Sequence, residues 1–168
     1  MKKLIFATHN ANKVKEVRNQ LMGTYEVLGL NDIGFHEEII EDKKTIVENS
    51  IAKVRFVKER TGYDCFADDT GLEVNALNGK PGVFSKRFAG QNASSDDNIN
   101  KLLNMLKGKQ DRSAQFKTVI SLFNNGEIQT FEGICKGKIG FKRSGNFGFG
   151  YDPISVSYTH LRAHETTL

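Results

Sequence analysis

The most constraining feature of this sequence is the order of its first three predicted elements. Residues 3–7 form a short apolar run, and apolar residues then recur at helical spacing between residues 10 and 22. A second apolar run, 25–30, follows. A strand, a helix and a strand in this order make a right-handed crossover between two parallel strands. The first thirty or so residues therefore predict an α/β fold.

The chain then continues to alternate helices and strands. Thr45 and Glu48 form a T-x-x-E capping box, which predicts the start of a second helix that ends near Gly62. A buried strand is predicted at 63–67, and the extended path resumes at 72–77. The predicted apolar face of the second helix consists of Val47, Ile51, Val54 and Val57.

The last predicted elements are a helix and a hairpin. The third helix runs from Ser94 or Ser95 to Lys107, with Gly108 to end it. Two long strands, 112–123 and 127–133, are joined across an Asn-Asn-Gly turn, which favours a hairpin. These elements predict a mixed central sheet with flanking helices in an α/β/α arrangement.

Composition narrows the class of protein. A chain of 168 residues with 38% hydrophobic and 26% charged residues is typical of a single globular domain, and no apolar run is long enough to cross a membrane. The net charge of +4 is spread along the chain, which fits an anionic small substrate and indicates no nucleic-acid module. Cys65 and Cys135 lack metal-ligand spacing, so we expect reduced thiols and a cytoplasmic protein.

Two adjacent carboxylates, Asp68 and Asp69, follow the predicted strand 63–67. Like charges in this position require a metal ion, a basic partner or a shared proton. Thr70 and Gly71 come next and predict a sharp turn that brings backbone N–H groups close to a ligand. The alternative is a strand-end turn in which Asp and Gly serve only conformation.

A second set of polar residues lies between the first strand and the first helix. Thr8, His9 and Asn10 precede the helix, where free N–H groups stabilise an anion. Lys13 opposes the helix dipole, which makes sense if its ammonium group neutralises a bound phosphate. The alternative is that Thr8 or Asn10 only caps the helix and Lys13 is solvated.

Two further segments carry residues of the kind that bind ligands. An acidic group precedes the second helix; it is either solvated or supplies one carboxylate that joins Asp68 or Asp69 in holding Mg²⁺. In the loop 145–153, alternating glycines and aromatic residues suit contact with a planar ring. The acidic group comprises Glu37, Glu38, Glu41 and Asp42.

The end of the chain differs in character from the rest. From Val156 the sequence reads VSYTHLRAHETTL and lacks both strand and helix periodicity. It resembles the translation of an adapter used in sequencing libraries, so we interpret residues 155–168 as a non-native tail. His160, His164 and Glu165 are therefore not assigned to a zinc site.

Four motifs occur together in residues 1–154: FATHNANKVKE, EDKKTIVENSIAK, ADDTGLEVNALNGKPGVFSKRFAG and GFGYDPI. In this order they resemble the inosine triphosphate pyrophosphatase, or Ham1-like, family. The resemblance implies a single catalytic domain over 1–154 with this family's α/β/α fold. It also implies Mg²⁺-dependent hydrolysis of ITP, dITP and XTP to the monophosphate and pyrophosphate, which cleanses the nucleotide pool. A cytoplasmic homodimer is implied as well.

The resemblance also implies the roles of individual residues. Asp69 would accept a proton, and it would hold the metal together with Glu41. Lys13 would act on the phosphates and count with Asp69 as catalytic, while Asp68 would be a supporting neighbour. The remaining substrate contacts implied by the family are Thr8, His9, Asn10, Thr70, Phe149, Gly150, Tyr151 and Asp152.

One departure from the family and three alternatives accompany this interpretation. After Ile154 the family continues into a lysine and a His-Arg pair that are missing here, so we expect the domain to be incomplete and the chain impaired. A Maf-like pyrophosphatase is a related alternative, although the GFGYDP loop argues against it. An aspartyl phosphatase would need Asp-x-Asp spacing. A non-enzymatic nucleotide- or RNA-binding module would use the Phe and Tyr of the last loop for stacking.

Overall fold

The strand, helix and strand at the start of the chain form as predicted in the computed structural model, which describes residues 1–146 and 148–158. Strand β1 (Lys2–Phe6) and strand β2 (Tyr25–Gly29) are parallel neighbours, with Lys2 opposite Tyr25. Helix α1 (Ala11–Gln20) connects them. The crossover through α1 places β1 and β2 side by side as parallel strands.

The other two helices, α2 (Ile46–Thr61) and α3 (Ser95–Met105), begin where their capping residues predict, and α2 also ends as predicted, whereas α3 ends before the predicted Lys107. Helix α2 starts at a complete capping box of Thr45 and Glu48, and Gly62 ends it in the left-handed conformation at φ 74°. Helix α3 has a second capping box, in which Ser94 and Asp97 exchange hydrogen bonds with the backbone. Reciprocal satisfaction of the free N–H groups explains these sharp starts.

Within the described residues the sheet has seven strands. Besides β1 and β2 they are β3 (Cys65–Val74), β4 (Pro81–Gly82), β5 (Ser113–Asn124), β6 (Glu127–Ile139) and β7 (Ser155–Ser157). Their order is β2-β1-β3-β5-β6-β7, and β4 pairs with β3 off this path. Strand β3 is parallel to β1, whereas β4 is antiparallel to β3 and β7 to β6, so the sheet is mixed, as predicted. Strands β5 and β6 are joined through Asn125 and Gly126, at φ 52° and 86°.

Some strands differ from the predictions. Strand β6 extends beyond the predicted 127–133, and the short β4 was not predicted. Ser155–Ser157, the first residues of the predicted tail, form β7 against β6. Phe147 and the rest of the tail from residue 159, including His160, His164 and Glu165, lie outside the described residues. The non-native origin of the tail stays a prediction.

The chain divides into two compact units. The first unit contains Met1–Asp69 and Val119–Glu132, and the second contains Thr70–Thr118 and the chain from Gly133 onwards. In the first unit, neighbouring strand residues point to opposite sides of the sheet: Phe6 and Phe66 stack at 4.3 Å on the α1 side. Ile5 and Ala67 instead pack against Val54 and Val57 of α2. The core of the second unit includes Leu72, Ile99, Leu102, Leu106 and Ile139.

No helix within residues 1–146 and 148–158 combines the length and the apolar character that a membrane span requires.

Candidate active site

Asp68 and Asp69 lie in the middle of a strand. Strand β3 runs without interruption through both residues and through Thr70 and Gly71, so the predicted turn at this point is wrong. Gly71 does not have a positive φ. Side chains alternate across a strand, so the two carboxylates point to opposite faces and do not face each other. Asp68 is 8% exposed and Asp69 is 7% exposed.

The carboxylate of Asp68 meets the first turn of α1. Lys13 Nζ donates to Asp68 Oδ2 at 2.6 Å, and both side chains are largely shielded from water. The alternative in which Lys13 is solvated is therefore wrong. The contact offsets the unfavourable position of a lysine at the positive end of a helix, and it fixes the ammonium group beside β3.

The carboxylate of Asp69 meets helix α2. Lys53 Nζ lies 3.6 Å from Asp69 Oδ1 and 2.9 Å from Glu41 Oε1, and it donates to the backbone oxygen of Asp68 at 2.9 Å. One buried ammonium group thus interacts with two carboxylates and a backbone carbonyl. Glu41 comes from an irregular segment before α2, where no helix or strand is formed.

Lys53 was not among the predicted site residues, although the sequence contains a signal for it. The buried stripe of α2 follows the spacing i, i+3, i+4, i+7 and passes through polar residues, whereas the predicted Val47 and Ile51 are only partly buried. A lysine at a core position of an amphipathic helix requires a partner. The buried residues of this stripe are Ile46, Asn49, Ser50, Lys53, Val54 and Val57.

Electrostatics in this cluster follow from burial and from the opposing charges. Burial raises the pKa of Asp69; Lys53 opposes that shift and Glu41 adds to it. Burial alone would lower the pKa of the Lys53 ammonium, but Glu41, Asp69 and Asp68 together raise it. Lys53 is therefore a permanent cation, whereas Asp69 holds a proton more readily than an exposed aspartate.

The predicted anion site before α1 is partly used by the helix itself. Asn10 caps α1 and accepts hydrogen bonds from the N–H groups of Asn12 and Lys13. Thr8 Oγ1 accepts from the N–H of Asn10 at 3.1 Å. The capping role of Asn10, given as an alternative, is therefore correct. Phosphate binding by this segment stays a prediction.

His9 is held on the other side of the same segment. Its Nε2 donates to the backbone oxygen of Glu37 at 2.8 Å, and its Nδ1 lies 3.1 Å from Asn31 Oδ1. These contacts connect the end of β1 with the segment that leads to Glu41. His9 therefore orders the backbone around the cluster.

The acidic group before α2 divides into different roles. Glu37 pairs with Arg60 at 2.7 Å, and Asp42 pairs with Lys43 at 2.8 Å, each with exposed side chains. Among the acidic residues of this group, Glu41 instead pairs with the buried Lys53, at 2.9 Å. The structure thus separates the single carboxylate that reaches the cluster from those on the surface.

The other predicted ligand residues belong to the second unit. The hydroxyl groups of Thr70 and Thr118 lie 2.8 Å apart. Asp152 Oδ2 accepts from the N–H of Phe149 at 2.9 Å. Tyr151 is a core residue whose hydroxyl donates to the backbone oxygen of Ser85, and burial raises its pKa. Gly150 has φ 59°, which the turn at this loop requires. Nucleotide contact by these residues stays a prediction.

The donor set fits a hard divalent cation that takes most of its ligands from elsewhere. Within 1–146 and 148–158, no three His, Cys, Asp or Glu residues gather closely enough to hold a metal by themselves. Glu41 and Asp69 nevertheless converge on one cation, the Lys53 ammonium. Mg²⁺ is commonly bound by one or two carboxylates together with water and substrate phosphates. These two side chains suit that mode.

The fold and the site together define an α/β protein with buried carboxylates and ammonium groups beside a parallel strand, an arrangement suited to phosphate chemistry. The sequence profile of the Ham1 family matches residues 4–165. The chain belongs to the Ham1 family, and the predicted family resemblance is confirmed.

Curated relatives and solved structures agree with this membership. The chain is 52% identical over 151 residues to the dITP/XTP pyrophosphatase of Flavobacterium psychrophilum, covering 90% of this chain and 80% of the relative. It is 45% identical over 161 residues to that of Porphyromonas gingivalis, covering 95% and 83%.

Two solved structures share the fold. The Ham1 protein of Staphylococcus aureus has a TM-score of 0.81 and 38% identity, with 94% of this chain and 82% of that chain covered. The Ham1 protein of Coxiella burnetii has a TM-score of 0.84 and 36% identity, with 96% and 85% covered. The predicted fold class is therefore confirmed.

Proposed function

We propose that this protein is a nucleoside triphosphate pyrophosphatase. It hydrolyses non-canonical purine nucleotides, namely dITP, XTP and ITP, to the monophosphate and pyrophosphate, and so cleanses the nucleotide pool. The names of the Flavobacterium and Porphyromonas relatives support this activity. We further propose a cytoplasmic homodimer that acts on free nucleotides rather than on nucleic acid.

The observation that carries the proposal is the cluster around Lys53. Glu41 and Asp69 come from segments 28 positions apart in the numbering, and both approach one buried ammonium group. Burying two carboxylates near each other is unfavourable unless cations compensate for them. A site that maintains this arrangement beside a second ammonium group, Lys13, is suited to a negatively charged substrate and its cation.

Glu41 and Asp69 would hold Mg²⁺. When bound, the ion supplies Lewis-acid polarisation of a phosphoryl oxygen and neutralises charge on the phosphates. The carboxylates of this chain contribute their own negative charge and fixed positions. Lys53 remains beside them and limits their mutual repulsion.

The protein residues bind the phosphates and move one proton. Lys13 neutralises phosphate oxygens, and Thr8, His9 and Asn10 order the backbone at the start of α1. Asp69 accepts the proton of a water whose oxygen bonds to the α-phosphorus. The bond from that phosphorus to the oxygen bridging to the β-phosphate breaks, and pyrophosphate leaves. Burial raises the pKa of Asp69, which makes its carboxylate a better proton acceptor than that of an exposed aspartate.

For the residues of the second unit, the proposal rests on the family resemblance. Thr70 and the run Phe149, Gly150, Tyr151 and Asp152 contact the nucleotide. The hydrogen bond from the Phe149 N–H to Asp152 supports a fixed loop conformation. The buried Tyr151 anchors the loop through its hydroxyl group rather than by lying open to solvent.

Product analysis with purified protein tests the activity. We expect pyrophosphate from dITP, XTP and ITP with Mg²⁺, slower turnover of dATP and dGTP, and loss of turnover when EDTA removes the metal. Asp69→Asn should lower the rate by at least about a hundredfold. Asp64→Asn, which changes an exposed ion pair with Lys58, is the control and should retain the rate.

The products separate this proposal from its competitors. Release of inorganic phosphate instead of pyrophosphate would contradict the reaction. Tight binding of dITP without any product would indicate a binding module. Preference for a canonical or pyrimidine triphosphate would contradict the substrate class.

A further inference from the structure

Helix α2 places a second polar residue beside the carboxylates, one turn before Lys53. Asn49 is 1% exposed and lies on the buried stripe of the helix. Its side-chain oxygen, Oδ1, accepts a hydrogen bond from the backbone N–H of Lys43 at 3.0 Å. Asn49 lies at the end of the first turn of α2 and does not cap the helix, because Thr45 and Glu48 already form the capping box at its N-terminus.

The backbone that Asn49 holds is the one that carries Glu41. Residues 35–43 form neither helix nor strand, so no backbone ladder positions Glu41. Lys43 is two residues beyond Glu41, and its side chain forms an exposed pair with Asp42. The ion pair of Glu41 with Lys53 ties this end of the segment to α2 through side chains, and the partly buried hydrogen bond from the Lys43 N–H to Asn49 ties its backbone to the same helix.

The other end of the amide faces Asp69. The Asn49 side chain lies within interaction range of the Asp69 carboxylate. Within the described residues, Asn49 Nδ2 has no hydrogen bond of ordinary length, so this nitrogen can still donate one. An amide can accept at one end and donate at the other, which a carboxylate or an aliphatic side chain of this size does not do.

We propose that Asn49 is a positioning residue that holds the Glu41 segment against α2 and keeps Glu41 and Asp69 within reach of one cation. The inference rests on the proposed function for its catalytic consequence, but the structural tie exists independently of it. Groups of this kind, which orient metal-binding carboxylates, typically change metal affinity by roughly ten- to a hundredfold when they are removed.

The first test measures the tie itself in metal-free protein. Amide hydrogen exchange at Lys43 should be about tenfold faster in Asn49→Ala, because this variant lacks the hydrogen bond that protects the Lys43 N–H. Asn49→Asp keeps an acceptor for the Lys43 N–H and should keep the slow exchange. Unchanged exchange in Asn49→Ala would overturn the inference, as would equally fast exchange in Asn49→Asp.

The second test measures the consequence for the metal. Asn49→Ala should raise the Mg²⁺ concentration for half-maximal pyrophosphate release from dITP by roughly tenfold or more, and the KM for dITP at saturating Mg²⁺ should change little. Asn98→Ala is a matched control, because Asn98 is a similarly buried helical asparagine that accepts from Ala89 N–H and donates to Lys86 O.

The control separates positioning from general loss of stability. If Asn98→Ala raises the Mg²⁺ requirement as much as Asn49→Ala does, or if Asn49→Ala does not raise it, the inference is overturned. If the unmodified protein releases no pyrophosphate at all, the proposed function fails while the exchange measurement still decides whether Asn49 holds the segment.

Discussion

Asp68 and Asp69 are neighbours in the sequence, yet each carboxylate meets a different ammonium group. Asp68 contacts Lys13 of α1 at 2.6 Å, and Asp69 lies near Lys53 of α2 at 3.6 Å. The alternation of side chains along β3 produces this separation. Helices that pack on the two faces of a sheet can therefore each supply the nearest cation to one of two adjacent carboxylates.

The raised pKa of Asp69 implies that its charge destabilises the fold at neutral pH. Below the ordinary pKa of aspartate, the folded and unfolded chains are both protonated at this residue. Above it the unfolded chain loses its proton first, so stability decreases as the pH rises. We predict that metal-free Asp69→Asn is more stable than the unmodified protein at about pH 7 and no more stable at about pH 4.

Urea unfolding at the two pH values measures this difference. Asp68→Asn is the control, because it removes a short ion pair with Lys13 and should not stabilise the protein. A lower free energy of unfolding for Asp69→Asn at neutral pH would show that the Lys53 contact outweighs burial, contrary to the prediction.

Lys53 should be far more important for stability than other lysines of the same helix. Its side chain is 7% exposed, and its removal leaves the buried Asp69 and the partly buried Glu41 without their common cation. Lys53→Met should lower the free energy of unfolding by about 3 kcal/mol. Lys58→Met, which removes an exposed pair with Asp64, should change it by less than about 1 kcal/mol. Equal effects of the two variants in chemical unfolding would contradict the prediction.

At the level of elements, local sequence signals predicted the helices well. The capping box of Thr45 and Glu48 and the stop at Gly62 define α2 within a residue, because both depend on hydrogen bonds made by near neighbours. The polar part of its buried stripe was missed. Asn49 and Lys53 are explained only by groups distant in sequence, Lys43, Glu41 and Asp69.

The difference between local signals and contacts distant in sequence also explains why the turn predicted at Thr70 and Gly71 is wrong. Asp, Thr and Gly in a row are typical of turns when local conformation decides. Here β3 continues, because it pairs with β1 before this point and with β4 after it. Ser50 adds a buried link, since its hydroxyl lies within hydrogen-bond distance of Ala67 O and of Ser121 Oγ. Such tertiary pairing overrides the local preference of the residues.

The hairpin between β5 and β6 allows a test of turn chemistry. Asn125 and Gly126 both have positive φ, at 52° and 86°, as a two-residue hairpin turn requires. Gly126→Ala should destabilise the protein by roughly 1 kcal/mol, because a Cβ is disfavoured in the left-handed region. Apart from the adjacent residues of the chain, no atom of the described residues lies within 4 Å of that Cβ position, so the backbone conformation would cause the loss.

Asn125→Gly is the matched variant for the hairpin. Glycine adopts the same positive φ at no steric cost, so this change should alter stability much less than Gly126→Ala. Thermal unfolding of both variants gives the comparison. A neutral Gly126→Ala would indicate that the turn relaxes to another type.

At the scale of the whole molecule, the two cysteines report on the two units separately. Cys65 lies in the core of the first unit beside Val54 and Val57, whereas Cys135 is exposed on the part of β6 that belongs to the second unit. Burial raises the pKa of the Cys65 thiol to about 12. Because the thiolate is the reactive form, Cys65 is unreactive while the first unit stays folded.

We therefore predict two well-separated phases when the native protein reacts with a thiol reagent such as DTNB. One thiol should react rapidly, and the second should react at least about a thousandfold more slowly, at a rate set by opening of the first unit. Cys135→Ser should remove the fast phase, and Cys65→Ser the slow one. Urea should accelerate the slow phase before the fast one changes, because only Cys65 must be exposed by unfolding. Two thiols reacting at similar rates without denaturant would mean that β3, and with it the pair Asp68 and Asp69, is not part of a stable core.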